Sequence, residues 1–364
     1  MKSILLLKGW IILEENRYLN YQSMVTTVAT GMARLDNICH KINMDLQAET
    51  LKKSNTKLIE HTFSVGIMGE FRRGKSTVIN ALLGQSVVPS DIVPCSATLN
   101  YIKWDTNKRA EINFKDGTKK EVSVDELSNY VTKITKESQA MAETVESAVV
   151  YYPCTFCQNG VQIIDTPGLN DDERMTAISE NVIPTLDAII MVLVPDSPFS
   201  QSEAEFVRNK VMASDLGKLI FVVNKIDIVD EDDRPRLLES IKDKIQSSVL
   251  EKMALIYGQD SDEFNNAKVK LGDVKIIPVS AKRALKGKIN GNNEILEDSG
   301  YLEFESVLAT MLTEERGILE LLQPVNQVLS TSKMALDNIK TRKEALDIDS
   351  VEFEKIQRES IEKN

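Results

Sequence analysis

The chain has 364 residues, and 44 Lys and Arg set against 55 Asp and Glu give it a formal charge of −11. At roughly 150 residues per domain, that length suggests two domains. Apolar residues at 42% and charged residues at 27% exclude wholesale disorder. The acidic balance argues against nucleic acid as a partner, because neutralising phosphates needs clustered Lys and Arg. Four cysteines in such a length are not a disulfide framework. Only Cys154-Thr155-Phe156-Cys157 has a suggestive spacing. A structural zinc needs two further ligands, and the two histidines, His40 and His61, lie far upstream. The pair therefore reads as reduced cysteines beside a strand, which implies a cytoplasmic compartment. The longest apolar run, Ala188 to Val194, is far short of the roughly 18 residues that a membrane span needs. Met1 to Lys8 opens like a signal peptide, but Lys8 and then Glu14 and Glu15 interrupt it. No small-residue cleavage site follows, so the segment reads as ordinary chain.

Residues 20 to 60 are predicted to form one long helix. Val28, Met32, Leu35, Ile38, Ile42 and Leu46 recur at three- and four-residue steps and share a stripe. From 62 to 315, short apolar runs alternate with helical stretches. Phe63 to Met68, Val161 to Asp165, Ala188 to Val194, Leu219 to Asn224 and Val274 to Val279 have the continuous apolar character of strands buried on both faces. Such runs separated by helices predict an α/β fold with a mostly parallel sheet and helices on both faces. Beyond Val325 a second helical stripe follows, through Val328, Leu329, Leu336, Ile339 and Leu346, before a tail rich in Lys and Glu. The expected organisation is a helical segment over 1–61, an α/β domain over 62–315 and a helical segment over 316–364. The two helical segments would bury their stripes against each other as a bundle.

Gly69-Glu70-Phe71-Arg72-Arg73-Gly74-Lys75-Ser76 fits G-x-x-x-x-G-K-[ST], between the first strand and a helix over Thr77 to Leu83 that Gly84 ends. In such a loop, backbone N–H groups from Gly69 through Arg73 and Gly74 to Thr77 surround a phosphate at a helix N-terminus. Lys75 reaches the outer phosphates, and the Ser76 hydroxyl ligates Mg²⁺. Asp165-Thr166-Pro167-Gly168 follows the second strand: Asp165 can hold Mg²⁺ and the Gly168 N–H can meet the γ-phosphate. Asn224-Lys225-Ile226-Asp227 follows the fourth. A carboxylate there accepts hydrogen bonds from guanine N1–H and the exocyclic amine, so Asp227 would select guanine over adenine. Asn224 would complete the base and loop contacts, and the Lys225 stem would lie over the ring. Ser280-Ala281-Lys282 follows the last strand and can offer the Ala281 N–H to guanine O6. Four such segments in this order predict a P-loop GTPase that uses GTP, GDP and Mg²⁺.

The wording around these motifs narrows the kinship. The P-loop with Thr77 and Asn80-Ala81-Leu82-Leu83-Gly84, the stretch Val93-Pro94-Cys95-Ser96-Ala97-Thr98, and Asn159-Gly160-Val161 through Asp165 to Leu169-Asn170 resemble the bacterial dynamin-like proteins. The resemblance covers residues 62 to 315, and the flanking helices resemble that family's neck bundle. It implies a large GTPase working on membranes, whose turnover rises on self-association. It also implies a homodimer through GTPase domains, with a lipid membrane or a partner dynamin-like protein as further partner and no nucleic acid. The place implied is cytoplasmic, peripheral at the inner face of the membrane. The family's first-switch threonine aligns with Ser96, leaving Ser96 or Thr98 as the hydroxyl that senses Mg²⁺ and γ-phosphate. Family members also carry a longer helical trunk and a membrane-inserting tip. A sequence stopping at Asn364 would be a fragment or a short member that borrows its membrane contact.

Small GTPases orient the attacking water with a glutamine after DxxG, where this chain has Leu169. Hydrolysis would then draw on the P-loop, a monovalent cation or a group supplied across a dimer. Arg72 stands where the related guanylate-binding proteins carry an arginine finger in cis; otherwise Arg72 and Arg73 pair with acidic neighbours such as Glu70. Ser200 and Ser202, with Glu203 and Glu205, read as capping signals for the helix through Val211. Asp230-Glu231-Asp232-Asp233 reads as a solvated loop and helix start. Two other readings share the motifs. One is a GTP-dependent switch whose helices bind a partner protein. The other is a ribosome-associated GTPase, which should carry a basic RNA-binding module absent from a chain of charge −11.

Overall fold

Nine strands make one sheet in a computed structural model of the chain, which describes residues 2–90, 98–132, 136–169 and 173–361. In chain order they are β1 Phe63–Met68, β2 Leu99–Trp104, β3 Arg109–Phe114, β4 Lys119–Val122, β5 Val145–Tyr152, β6 Val161–Asp165, β7 Ala188–Leu193, β8 Lys218–Val223 and β9 Ile276–Pro278. Their spatial order is β4-β3-β5-β2-β6-β1-β7-β8-β9. One side, β6-β1-β7-β8-β9, is parallel throughout. On the other side β2 runs antiparallel to β6 but parallel to β5, and β3 runs antiparallel to both β5 and β4. The sheet is therefore mixed.

The two sides differ for a physical reason. Every residue of β1 and β7 is buried, as parallel strands covered on both faces must be. In β2 only Asn100 and Ile102 are buried, and β4 is exposed except at Val122. Half-solvated, charged strands lack the continuous apolar run by which the others announce themselves. The last strand is shorter than Val274 to Val279 suggests. One apolar core lies on the sheet face that carries Ile102, Ile163, Val78, Ile79, Tyr301 and Phe304. The opposite face packs Met68, Ile164, Met191, Phe199, Phe221 and Ile241.

By Cα packing the chain divides into a sheet unit, His61–Glu320, and a helical unit, Met1–Glu60 with Leu321–Asn364. The helical unit contains α1 Lys2–Lys41, α2 Asp45–Ile59 and most of a long helix, Arg316–Ile361. The single helix predicted over 20–60 is two helices, broken where Asn43 takes a left-handed φ of 58°. The chain reverses there, so Met32, Leu35 and Cys39 of α1 pack on Met44, Ala48 and Leu51, joined by Ala335 of the long helix. The reversal changes the phase of the stripe. Ile38 and Leu46 end 43% and 73% exposed, while Cys39, Ala48 and Leu51 take their places inside. Val25, Leu58 and Leu321 form a second small cluster, and Arg342 Nη2 donates to the Ile42 carbonyl at 2.6 Å.

Candidate nucleotide-binding site

The C-terminal ends of β1, β6 and β8 open into the loops that carry the motifs, the ligand edge of an open α/β sheet. After β1 the loop turns into α3, Lys75–Leu83, through Gly74 at φ 87°. A side chain at Gly74 would collide with Asn224 Nδ2 as well as strain the turn. Lys75 is buried, and its ammonium donates to the carbonyls of Gly69 at 2.9 Å and Glu70 at 3.1 Å, which keeps the loop wound around it. Ser76 Oγ donates to Asp165 Oδ2 at 3.0 Å. Asp165, the last residue of β6, is wholly buried. The segment after it is laced to the P-loop. Leu169 N–H donates to the Gly69 carbonyl at 3.2 Å, and Phe71 N–H donates to the Leu169 carbonyl at 3.4 Å. Gly168 lies so close that a Cβ would come within 3.0 Å of the Phe71 backbone.

Asn224 joins three loops. Its Nδ2 donates to the Arg73 carbonyl at 2.9 Å and its Oδ1 accepts from the Ala281 N–H at 3.1 Å. The Ala281 N–H, expected at guanine O6, is thus engaged inside the protein, because the buried Asn224 carboxamide requires a donor. Lys225, at φ 61°, extends Nζ to the Arg72 carbonyl at 2.9 Å, so its stem bridges the base loop and the P-loop. Asp227 is exposed in the turn Ile226–Ile228, and Ile226 N–H anchors that turn on the Val279 carbonyl at 3.1 Å. Ser280 Oγ accepts from Arg283 N–H and caps the helix Ala281–Asn290, with Lys282 exposed on its first turn. Thr77 is half-buried in the first turn of α3. Ser96 lies outside the described residues. Thr98 lies inside them, 2% exposed.

The two arginines of the P-loop part company. Arg72 is exposed, at φ 64°, with its guanidinium carbon 5.2 Å from the centre of the Phe71 ring. Arg73 is 5% exposed and turns away from the loop's inner side. Its Nε donates to Glu203 Oε1 at 3.0 Å, and its Nη2 also meets Glu70. Its guanidinium is therefore committed to these two carboxylates. Ser200 Oγ donates to Glu70 Oε1 at 2.7 Å, and Ser202 joins the same oxygen. The capping box predicted at Ser200 and Glu203 is present, but the Glu203 carboxylate, wholly buried, also pairs with the P-loop. Desolvation lifts its pKa above the usual carboxylate range, with Arg73 opposing. Nothing local in the sequence signals this partnership, which joins residues 130 positions apart. The acidic run after Asp227 is exposed and forms the turn Glu231–Asp233 before a helix, as expected. Cys154 and Cys157 are free and buried.

Ser76 and Asp165 present two hard oxygens 3.0 Å apart at the mouth of the P-loop, a donor set that suits Mg²⁺. Among the described residues no group of three His, Cys, Asp or Glu could cage a metal. The cation would therefore complete its shell with phosphate oxygens and water, as Mg²⁺ prefers.

Comparison with known proteins agrees with this geometry. The family model described as the dynamin family matches residues 65–226. An uncharacterised protein of the xynA 3′ region of Caldicellulosiruptor sp. is 28% identical over 308 residues, which cover 84% of this chain and 70% of that protein. The bacterial dynamin-like protein of Nostoc punctiforme is 28% identical over 305 residues, covering 79% of this chain and 42% of its own length. A solved structure of an oligomerised bacterial dynamin pair, described as sensing and tethering membranes, superposes with a TM-score of 0.55 at 19% identity. It covers 91% of this chain and 50% of that one. No helix among the described residues is long and apolar enough to cross a membrane. With its nucleotide loops tied together at the ends of parallel strands, the chain matches the dynamin family over residues 65–226 and shares the fold of a solved bacterial dynamin.

Proposed function

We propose that the chain binds and hydrolyses GTP, that pairing of two GTPase domains stimulates turnover, and that hydrolysis is coupled to membrane remodelling. The observation that carries the reading is Leu169. It sits where an orienting glutamine would be, 3% exposed and hydrogen-bonded through its backbone to the P-loop. An aliphatic side chain cannot polarise water, so this site alone is incomplete.

The P-loop N–H groups and the N-terminus of α3 receive the phosphates, and Lys75 exchanges its carbonyl contacts for the outer phosphate oxygens. Ser76 and Asp165 would hold Mg²⁺, which neutralises charge on the β- and γ-phosphates when bound. Asp227 reads guanine, while Asn224 and Ala281 keep the base loops in register with the P-loop. Charge developing between the β- and γ-phosphates calls for a further cation. Arg72 is the exposed P-loop guanidinium, and a monovalent cation or a second GTPase domain is the other source. The relatives' own descriptions, a dynamin-like protein and a membrane-tethering dynamin pair, support a peripheral site at the inner face of the membrane. A switch that docks a partner helix is the second reading, favoured by the exposed leucines of the helix Arg316–Ile361.

GTP turnover per molecule, measured against protein concentration with ATP as control, tests the proposal. The expected rate climbs with concentration and is negligible for ATP, and Arg72→Ala flattens the climb without weakening GTP binding. A flat rate would leave the switch reading. Equal use of ATP would remove the role of Asp227.

A further inference from the structure

We propose that Asn100 is a positioning residue for Mg²⁺ and its hydration water, acting beside Asp165; this rests on the GTP and Mg²⁺ reading above. In the antiparallel pairing of β2 with β6, Asn100 stands directly opposite Asp165. Opposed residues project from the same face, with Cβ atoms about 5 Å apart. That face is the one α3 covers, since Ile102 and Ile163, two residues along each strand, share a core with Val78 and Ile79. Helix α3 begins with Lys75-Ser76, and Ser76 already reaches Asp165.

Asn100 is 0% exposed, yet among the described residues neither its Nδ2 nor its Oδ1 has a hydrogen-bond partner. The Thr98 hydroxyl, two residues earlier, is likewise buried without one. A buried carboxamide that makes no hydrogen bond opposes folding. Apart from Asp165 and Thr98, its neighbours on that face are apolar: Ile102 along the strand and Ala148 beside it on β5. An aliphatic residue would satisfy the core. A carboxamide is suited to something else, because it can accept from a water and donate to a carboxylate at once. Mg²⁺ releases its waters reluctantly and so brings that water with it. Groups in this position orient the ligands of a metal rather than ligate it.

The test is the variant Asn100→Leu, read in two ways. Unfolding of the nucleotide-free protein in EDTA should occur at an equal or higher midpoint, because an unsatisfied amide has been removed. Affinity for a fluorescent GDP should lose about tenfold of its Mg²⁺-dependent part, while affinity in EDTA stays as in the native protein. A lowered midpoint with unchanged Mg²⁺ dependence would make Asn100 a structural residue and overturn the proposal. Should Leu prevent folding, the smaller Asn100→Ala repeats the test at the same position, with the same two outcomes. Native protein that binds GDP no better with Mg²⁺ than with EDTA would defeat the reading of Ser76 and Asp165. A native Mg²⁺ effect that survives in the variant would defeat Asn100 alone.

Discussion

The sheet unit and the helical unit bury different kinds of residue. In the sheet unit the most aliphatic segments are the most enclosed, and β7 has no accessible residue from Ala188 to Leu193. On the long helix of the helical unit the inward line is Gln323, Gln327, Thr331 and Ala335, while Leu329, Leu336 and Leu346 stand 64%, 67% and 68% exposed. A central strand is covered from both faces by helices, so an apolar run has nowhere else to go. A helix has a surface all around, and the number of partners present decides which side is covered. Leu322, Leu329 and Leu336 follow one another at seven-residue steps, with Val325 and Ile339 three residues after the first and the last, the spacing by which one helix meets another. Buried polarity differs as well. In the helical unit it is a line of uncharged side chains; the sheet unit also buries charge, as in the cluster of Arg73, Glu203 and Glu70.

The largest effect should come from that cluster. Arg73→Met would leave the wholly buried Glu203 facing Glu70 without its cation, at a cost of about 4 kcal/mol of unfolding free energy. Denaturant unfolding of the nucleotide-free protein measures it. Adding Glu203→Leu to the same chain should return part of the loss, since most of the penalty is an unpaired charge rather than a missing attraction. A double variant weaker than Arg73→Met would show that the carboxylate has other work in this position.

Leu51→Ala carries the comparison into the helical unit. Leu51 is 1% exposed between α1, α2 and Ala335, and its truncation should cost about 3 kcal/mol by the same assay. A much smaller loss would mean that these helices hold together without their small core. Cys39 and Ala48, beside it, add too little apolar volume to replace it.

The nucleotide loops were legible because each is a few contiguous residues set after a buried strand, so chemistry and position are read together. Lys75, Ser76, Asp165, Asn224 and Ala281 meet in the structure as their order in the chain suggests. What escaped was long-range or one-sided. Glu203 looks like a capping residue and is one, but its ion pair with Arg73 depends on how the strands β1 and β7 set two loops side by side. The outer strands β2 to β4 alternate with solvent and carry charges, so they lack an apolar run to find. The break between α1 and α2 has neither Gly nor Pro. Its one sign is Asn43, a residue that tolerates the left-handed conformation, followed closely by Asp45.

The smallest effect is the one that separates pattern from burial. Leu336 belongs to the periodic stripe of the long helix and is 67% exposed, so Leu336→Ala should change unfolding free energy by no more than about 0.5 kcal/mol. Ala335 beside it is 4% exposed and packs on Met32 and Leu51. Enlarging it, as in Ala335→Leu, should cost about 1–3 kcal/mol through overpacking. Neighbouring positions on one helix would then respond in opposite senses to hydrophobicity: the leucine dispensable, the alanine not to be enlarged. If Leu336→Ala instead costs as much as Leu51→Ala, and does so more at higher protein concentration, the leucine stripe is buried in solution against a second copy. Dilution separates that case from a stripe that stays in water, because only an intermolecular seam loses its contribution as the protein is diluted.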